Sequence, residues 1–118
     1  TFRARNPLRL EQVVDFDEVV TCLPVLQEVL QGFRDERAFR LARESLRALP
    51  AVESPLTAEV FEEAVGLYRA ARRQGLTVRS SVDCLIAACA LRHGLTVLHR
   101  NRGYPLLARV SALQQKAV

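Results

Sequence analysis

The chain has no methionine, no tryptophan, one lysine (Lys116), two histidines and three cysteines in its 118 residues. Each scarcity excludes something. A translated chain starts with methionine, so we expect the natural protein to carry residues ahead of Thr1. With only five Phe and two Tyr, an aromatic platform on which single-stranded bases could stack is not evident. The cysteines form no pair at zinc-ligand spacing. Cys84 and Cys89 point about 140° apart on one helix and cannot bridge each other, so all three read as buried free thiols. His93 and His99 have no Cys, His or paired acid close by in sequence, and read as helix-end or loop residues. No apolar run reaches the roughly 20 residues that cross a bilayer, because Arg92 and His93 follow directly on the longest one. No basic start followed by an apolar stretch opens the chain. The expected setting is therefore cytoplasmic, with no membrane partner. No repeat, linker or low-complexity stretch divides the sequence, which fits one compact domain over residues 1–118.

Punctuation along the chain predicts alternating helices and strands, and hence an α/β domain with a mainly parallel sheet. A short helix is expected over Leu8–Val14 and a strand over Val19–Cys22. Pro24 opens a helix carrying Glu28 and ending near Gly32. Asp35–Leu49 reads as a helix that buries Phe39, Ala42, Leu46 and Leu49 and pairs Glu36 with Arg40 outside. Ala51–Val52 reads as a strand. Thr57 then caps a long helix, Ala58–Arg73, with Val60, Phe61, Ala64, Val65, Tyr68 and Ala71 as its apolar stripe. Gly94 stops the next helix. Leu95–Leu98 forms a short strand ending at His99-Arg100-Asn101-Arg102, and a short final helix and tail close the chain.

One carboxylate stands out. From Cys84 to Leu91 the chain carries no charge and is rich in Ala and Leu, so it forms a helix apolar all round and therefore buried. Asp83 sits at its mouth, in Ser80-Ser81-Val82-Asp83. Ser80 as N-cap with an acid three residues later satisfies free amides of the first turn, and that role alone would account for Asp83. A buried carboxylate can also hold a cation, and the polar residues after the Leu95–Leu98 strand lie where open α/β sheets place ligands. Glu28 sits about 60° outside the edge of its helix's apolar arc (Val25, Leu26, Val29, Leu30, Phe33), beside the buried face. Hydrolysing a phosphodiester needs charge stabilised on phosphoryl oxygens and hydroxide generated near neutral pH, which divalent ions held by oxygen ligands provide. Seventeen basic against thirteen acidic residues give a net charge of +4. The excess is arginine, suited to bidentate phosphate contacts, and it gathers at Arg69, Arg72, Arg73 and Arg79 before Asp83 and at Arg100 and Arg102 around Asn101.

Two segments, Val19–Gly32 and Arg72–Ala90, resemble the PIN-domain family, and more narrowly the VapC-type toxins of bacterial toxin–antitoxin pairs. The likeness extends over nearly the whole chain, with Glu28 and Asp83 as its most specific points. It implies a three-layer α/β domain whose mainly parallel central sheet is flanked by helices. It also implies a metal-dependent endoribonuclease cutting structured RNA, with Mg²⁺ or Mn²⁺ held by Glu28, Asp83 and Asn101. Arg79, Arg100 and Arg102 would contact the RNA. A homodimer and neutralisation by a cognate antitoxin follow from the same resemblance. The family opens with a strand ending in Asp, which this sequence does not contain, so that strand is expected among the residues ahead of Thr1. The family also has an Asp-x-Asp arrangement where this chain has Asn101-Arg102-Gly103. Those two replacements give the alternative of a degenerate PIN module that binds antitoxin or nucleic acid without cleaving.

Overall fold

The computed structural model describes residues 18–118. The expected helix at Leu8–Val14 lies outside them. The elements are β1 (Thr21–Cys22), α1 (Leu23–Leu30), α2 (Glu36–Arg47), β2 (Ala51–Val52), α3 (Ala58–Arg73), α4 (Ser81–Arg92), β3 (Thr96–His99), α5 (Gly103–Ala108) and β4 (Gln114–Ala117). All strand pairing among the described residues is parallel. Thr21 and Cys22 align with Ala51 and Val52, and Thr96–His99 aligns residue by residue with Gln114–Ala117. These are two separate two-stranded ladders.

Local chemistry sets most boundaries. Pro24 occupies the first turn of α1, where its missing N–H costs nothing. The Asp35 carboxylate accepts the Ala38 amide at 2.9 Å and starts α2. Glu36 and Arg40 approach to 3.9 Å on the exposed side. Thr57 is the N-cap of α3 by backbone geometry, without a side-chain capping bond. Both α3 and α4 end in left-handed glycines, Gly75 (φ 75°) and Gly94 (φ 62°). There the Leu76 and Leu95 amides reach back to the Ala71 and Ala90 carbonyls, each at 2.9 Å.

The core is built around α4. Cys84, Ile86, Ala87, Ala88, Cys89 and Ala90 are all buried. Val25 of α1, Val60, Ala64 and Ala71 of α3, Val97 of β3 and Tyr104 and Leu107 of α5 pack around it. Complete burial of an Ile or Leu side chain contributes about 1.5–3 kcal/mol, so this helix is the main hydrophobic anchor. At its far end Arg92 donates to Glu53 at 2.7 Å and to Glu63 at 2.8 Å, and Glu53 also meets His93 at 3.0 Å. These contacts tie α4 to the turn after β2, where Glu53 has the left-handed φ of 52°.

Three expectations are corrected. Phe61, Val65 and Tyr68 of α3 are 49%, 57% and 38% exposed and do not share the buried stripe of Val60, Ala64 and Ala71. Of the apolar α2 residues only Leu46 is buried, because α2 packs chiefly against α1 and not against the central helix. The closing tail is strand β4, which pairs along all of β3.

Candidate functional site

Asp83 stands at the third position of α4, and its amide donates to the Ser80 hydroxyl at 3.4 Å. The expected Ser80 cap is thus present. Asp83 is 2% exposed. The positive end of the helix dipole favours a negative side chain in this first turn. The carboxylate is also tightly approached from α5: a Cβ at position 103 would lie 3.0 Å from Asp83 Oδ2 and 3.4 Å from Val78 Cγ1. Gly103 does not have a left-handed φ. A side chain at this position is therefore opposed by space and not by backbone conformation.

Asp83 opens on a cleft of about 480 Å³, lined by Thr77, Arg79, Ser80 and Asp83 on one side and by Arg100–Gly103 with Leu106 on the other. The second wall is the turn leaving β3, and β4 holds it. The Val118 amide donates to the His99 carbonyl at 3.0 Å, and Arg100 Nε donates to the Val118 main-chain oxygen at 3.0 Å. His99 is not a loop residue. It ends β3, is 1% exposed, and packs its ring 4.8 Å from that of Tyr104. Its Nδ1 accepts the Asn101 amide at 3.0 Å, and its Nε2 meets Gln115 Oε1 at 2.6 Å.

The fold thus brings together five of the six residues singled out from the sequence: Asp83, Asn101, Arg79, Arg100 and Arg102. Glu28 is not among the described residues lining this cleft. It lies on α1, which packs against α4, and its Oε1 is shut off from solvent. Arg69, Arg72 and Arg73, on the last turns of α3, also lie outside the lining. Gln115 and Gly103 carry no sequence signal of their own. Gln115 matters through its contact with His99, and Gly103 through its fit against Asp83.

What could the cleft hold? Among the described residues no three His, Cys, Asp or Glu side chains gather in metal-binding proximity, which is unsuited to a structural zinc site. One carboxylate and one amide oxygen are hard donors. They fit an ion such as Mg²⁺ that keeps most of its own water and takes few protein ligands. Three guanidiniums around them suit phosphate oxygens. The neighbouring thiol, Cys84, is buried and made less acidic by that burial and then by the negative charge of Asp83, the opposite of the surroundings that activate a thiolate. Farther off, the buried Cys22 and Cys89 side chains hydrogen-bond each other, lowering the first thiol and raising the second.

A separate apolar groove of about 510 Å³ lies between α3 and α4, with Phe61, Val65 and Tyr68 on one side and Val82 and Leu85 on the other.

The PIN domain family model matches residues 3–112. VapC ribonuclease Mb1587 of Mycobacterium bovis and ribonuclease VapC11 of Mycobacterium tuberculosis are each 40% identical to this chain over 96 residues, 81% of it and 71% of their own length. Among solved structures, VapBC-5 from M. tuberculosis, a toxin–antitoxin system, aligns with TM-score 0.69 at 24% identity over 86% of this chain and 83% of its own. FitAB bound to a DNA fragment aligns with TM-score 0.65 at 14% identity over 93% and 80%. At those identities the two structures show the fold alone.

Proposed function

Because the chain belongs to the PIN-domain family, we propose that it is a VapC-like endoribonuclease of a toxin–antitoxin pair, cutting structured RNA with a divalent ion and restrained by a cognate antitoxin. The observation that carries this reading is the cleft itself: one shut-in carboxylate at a helix start, faced by an amide side chain and walled by three arginines. Arg79, Arg100 and Arg102 bind phosphates of the backbone and set the register of the strand, since such contacts position without reading bases. Asp83 and Asn101 line the same cleft and would supply the oxygens that hold Mg²⁺ or Mn²⁺, an ion that takes few protein ligands. Such an ion supplies neutralisation of phosphoryl charge and a water acidified toward hydroxide. Glu28, on α1 and outside the described lining of the cleft, is assigned as a further ligand by family resemblance alone.

The test uses the natural full-length protein on a structured RNA with Mg²⁺ or Mn²⁺. Asp83→Asn should lower kcat by at least roughly 100-fold, corresponding to the several kcal/mol of charge stabilisation a held ion contributes, while the fold persists. Arg100→Ala should weaken RNA binding and flatten its salt dependence. Undiminished cleavage by Asp83→Asn refutes the assignment. Asn101 and Gly103, standing where the family has acids, favour a second reading, a module that binds antitoxin or nucleic acid but cleaves neither. Millimolar Mg²⁺ separates the two, because only a chain that holds the ion is stabilised against unfolding in a saturable way.

The homodimer is assigned to the outer face of α3. Ala58, Phe61, Val65 and Tyr68 recur at alternating three- and four-residue steps, the seam of a paired helix, and the last three are exposed. Glu62 and Arg69 flank that seam on the same side. Two copies of α3 packed antiparallel about a twofold axis near Val65 would set each Glu62 against the other copy's Arg69, a self-complementary arrangement.

A further inference from the structure

We infer that Gln115 and His99 act as a positioning relay for Asn101, with Gln115 fixing which nitrogen of the His99 ring carries the hydrogen; as a device for the reaction, this rests on the nuclease reading above. A main-chain amide can only donate. The Asn101 amide lies 3.0 Å from His99 Nδ1, so that nitrogen is bare and offers its lone pair. In a neutral imidazole the hydrogen then sits on Nε2. The group facing Nε2 at 2.6 Å must therefore be the oxygen of the Gln115 amide, not its NH2, and Gln115 Oε1 is what stands there. The two contacts determine each other: the Asn101 amide fixes the Gln115 orientation, and the Gln115 oxygen fixes the acceptor that the Asn101 amide needs.

The surroundings leave this arrangement little freedom. His99 is 1% exposed and Tyr104 0%, with their rings 4.8 Å apart, so the imidazole cannot turn to exchange its nitrogens without displacing the core. Gln115 stands opposite Val97 in the β3–β4 register, two residues before the end of β3. From there its side chain reaches forward along the ladder to the ring that braces the Arg100–Gly103 turn. A strand with little apolar content of its own thus determines where one wall of the cleft sits. The relay resembles the outer hydrogen bonds by which proteins orient metal-binding side chains, whose loss typically costs 10–100-fold in affinity or activity. Here the oriented group is the Asn101 backbone rather than a ligating ring.

The experiment compares the parent with Gln115→Leu and Gln115→Glu, avoiding substitution of the buried His99. Gln115→Leu removes the acceptor facing Nε2, and Gln115→Glu keeps one. Nitrogen-15 NMR of the imidazole reads the tautomer, hydrogen exchange reads the Asn101 amide, and titration with Mg²⁺ alone reads affinity through Asn101 side-chain shifts. The parent and Gln115→Glu should show hydrogen on Nε2 and a protected Asn101 amide. Gln115→Leu should lose the single tautomer, exchange Asn101 at least tenfold faster, and bind Mg²⁺ about 10–100-fold more weakly. The proposal is overturned if the parent carries its hydrogen on Nδ1, if Gln115→Leu leaves tautomer and exchange unchanged, or if it alters both while Mg²⁺ binds as in the parent. A parent without any Mg²⁺ response, either alone or with a short non-cleavable RNA bound, refutes the nuclease reading instead. The tautomer and exchange results would then show the relay as a brace for the turn alone.

Discussion

Gly103 is the position where a single methyl group should reveal how tightly the carboxylate is held. In Gly103→Ala the new carbon would lie 3.0 Å from Asp83 Oδ2, 3.4 Å from Val78 Cγ1 and 3.8 Å from Asp83 Cβ. At 3.0 Å the carboxylate oxygen has to give way by a few tenths of an ångström, since ordinary non-bonded contacts lie farther apart. Asp83 and Val78 are each 2% exposed, and of the two only Asp83 lines the cleft into which it could yield. Forcing a methyl into a filled interior costs about 1–3 kcal/mol. Against this, alanine is better than glycine in a helix by up to about 1 kcal/mol, less at the first position of α5. The net expectation is a loss of about 0–3 kcal/mol, with a fall in Tm on the order of ten degrees at the upper end. The accompanying shift of Asp83 should weaken Mg²⁺ binding whatever the net stability. Gly103→Asp sharpens the test. A second carboxylate against Asp83 repels it without metal and adds a ligand with metal, so its Tm in a chelator should fall below that of the parent and its gain on adding Mg²⁺ should exceed the parent's. Thermal denaturation with and without Mg²⁺ reads both variants. If Gly103→Ala matches the parent in stability and Mg²⁺ response, the close approach does not constrain Asp83 and the reasoning fails.

Three other outcomes are expected. Glu53 is held below the ordinary carboxylate range, first by its hydrogen bond to Arg92 and then by His93. A depressed carboxyl contributes stability that is complete above the ordinary carboxylate range and is lost as pH falls through the lowered value. The Tm gap between the parent and Glu53→Gln should therefore be widest at neutral pH and close in acid; a gap constant with pH would exclude this origin. On α3, Glu62→Arg should shift sedimentation toward the monomer, and the double swap Glu62→Arg with Arg69→Glu should restore the dimer, whereas a dimer untouched by Glu62→Arg places the interface elsewhere. In the core, Ile86→Ala should cost about 2–5 kcal/mol, because Ile86 is fully buried; urea unfolding showing under 1 kcal/mol would mean that α4 collapses around the gap.

The parts legible in the sequence were those fixed by neighbours in the chain. Ser80 and Asp83 are three residues apart, so the cap could be read directly, and the start of α3 followed from Thr57. Residues fixed by distant partners were not legible. Gln114–Ala117 has no apolar alternation, and its strand state comes from parallel pairing with β3. An isolated histidine reads as a surface residue, yet His99 is buried by Tyr104 and Gln115. The α3 stripe failed differently. Its apolar arc is wider than one contact needs, and periodicity alone could not show that Val60, Ala64 and Ala71 face the core while Phe61, Val65 and Tyr68 face outward. The clustering of Asp83, Asn101 and three arginines was anticipated through family likeness, since nothing local to either segment predicts that they meet.

The charge balance of the cleft bears on the order of events within it. Its described lining carries one carboxylate, Asp83, against three guanidiniums, Arg79, Arg100 and Arg102. Asn101 provides an oxygen without charge. Such a lining attracts phosphate before it attracts a cation, because a divalent ion approaching alone meets a net positive wall. RNA changes that sign: each phosphate entering between the arginines neutralises one of them and adds oxygens of its own to the ion's surroundings. Metal and RNA should therefore bind with positive coupling, which thermodynamics requires to be reciprocal. The measurement is Mg²⁺ affinity with and without a short non-cleavable RNA, and RNA affinity with and without Mg²⁺. A coupling of about 1–3 kcal/mol, equal in both directions, is the expected result. Tight Mg²⁺ binding in the absence of RNA would require carboxylates beyond Asp83 at the cleft, and its loss in Glu28→Gln would show Glu28 to be one of them.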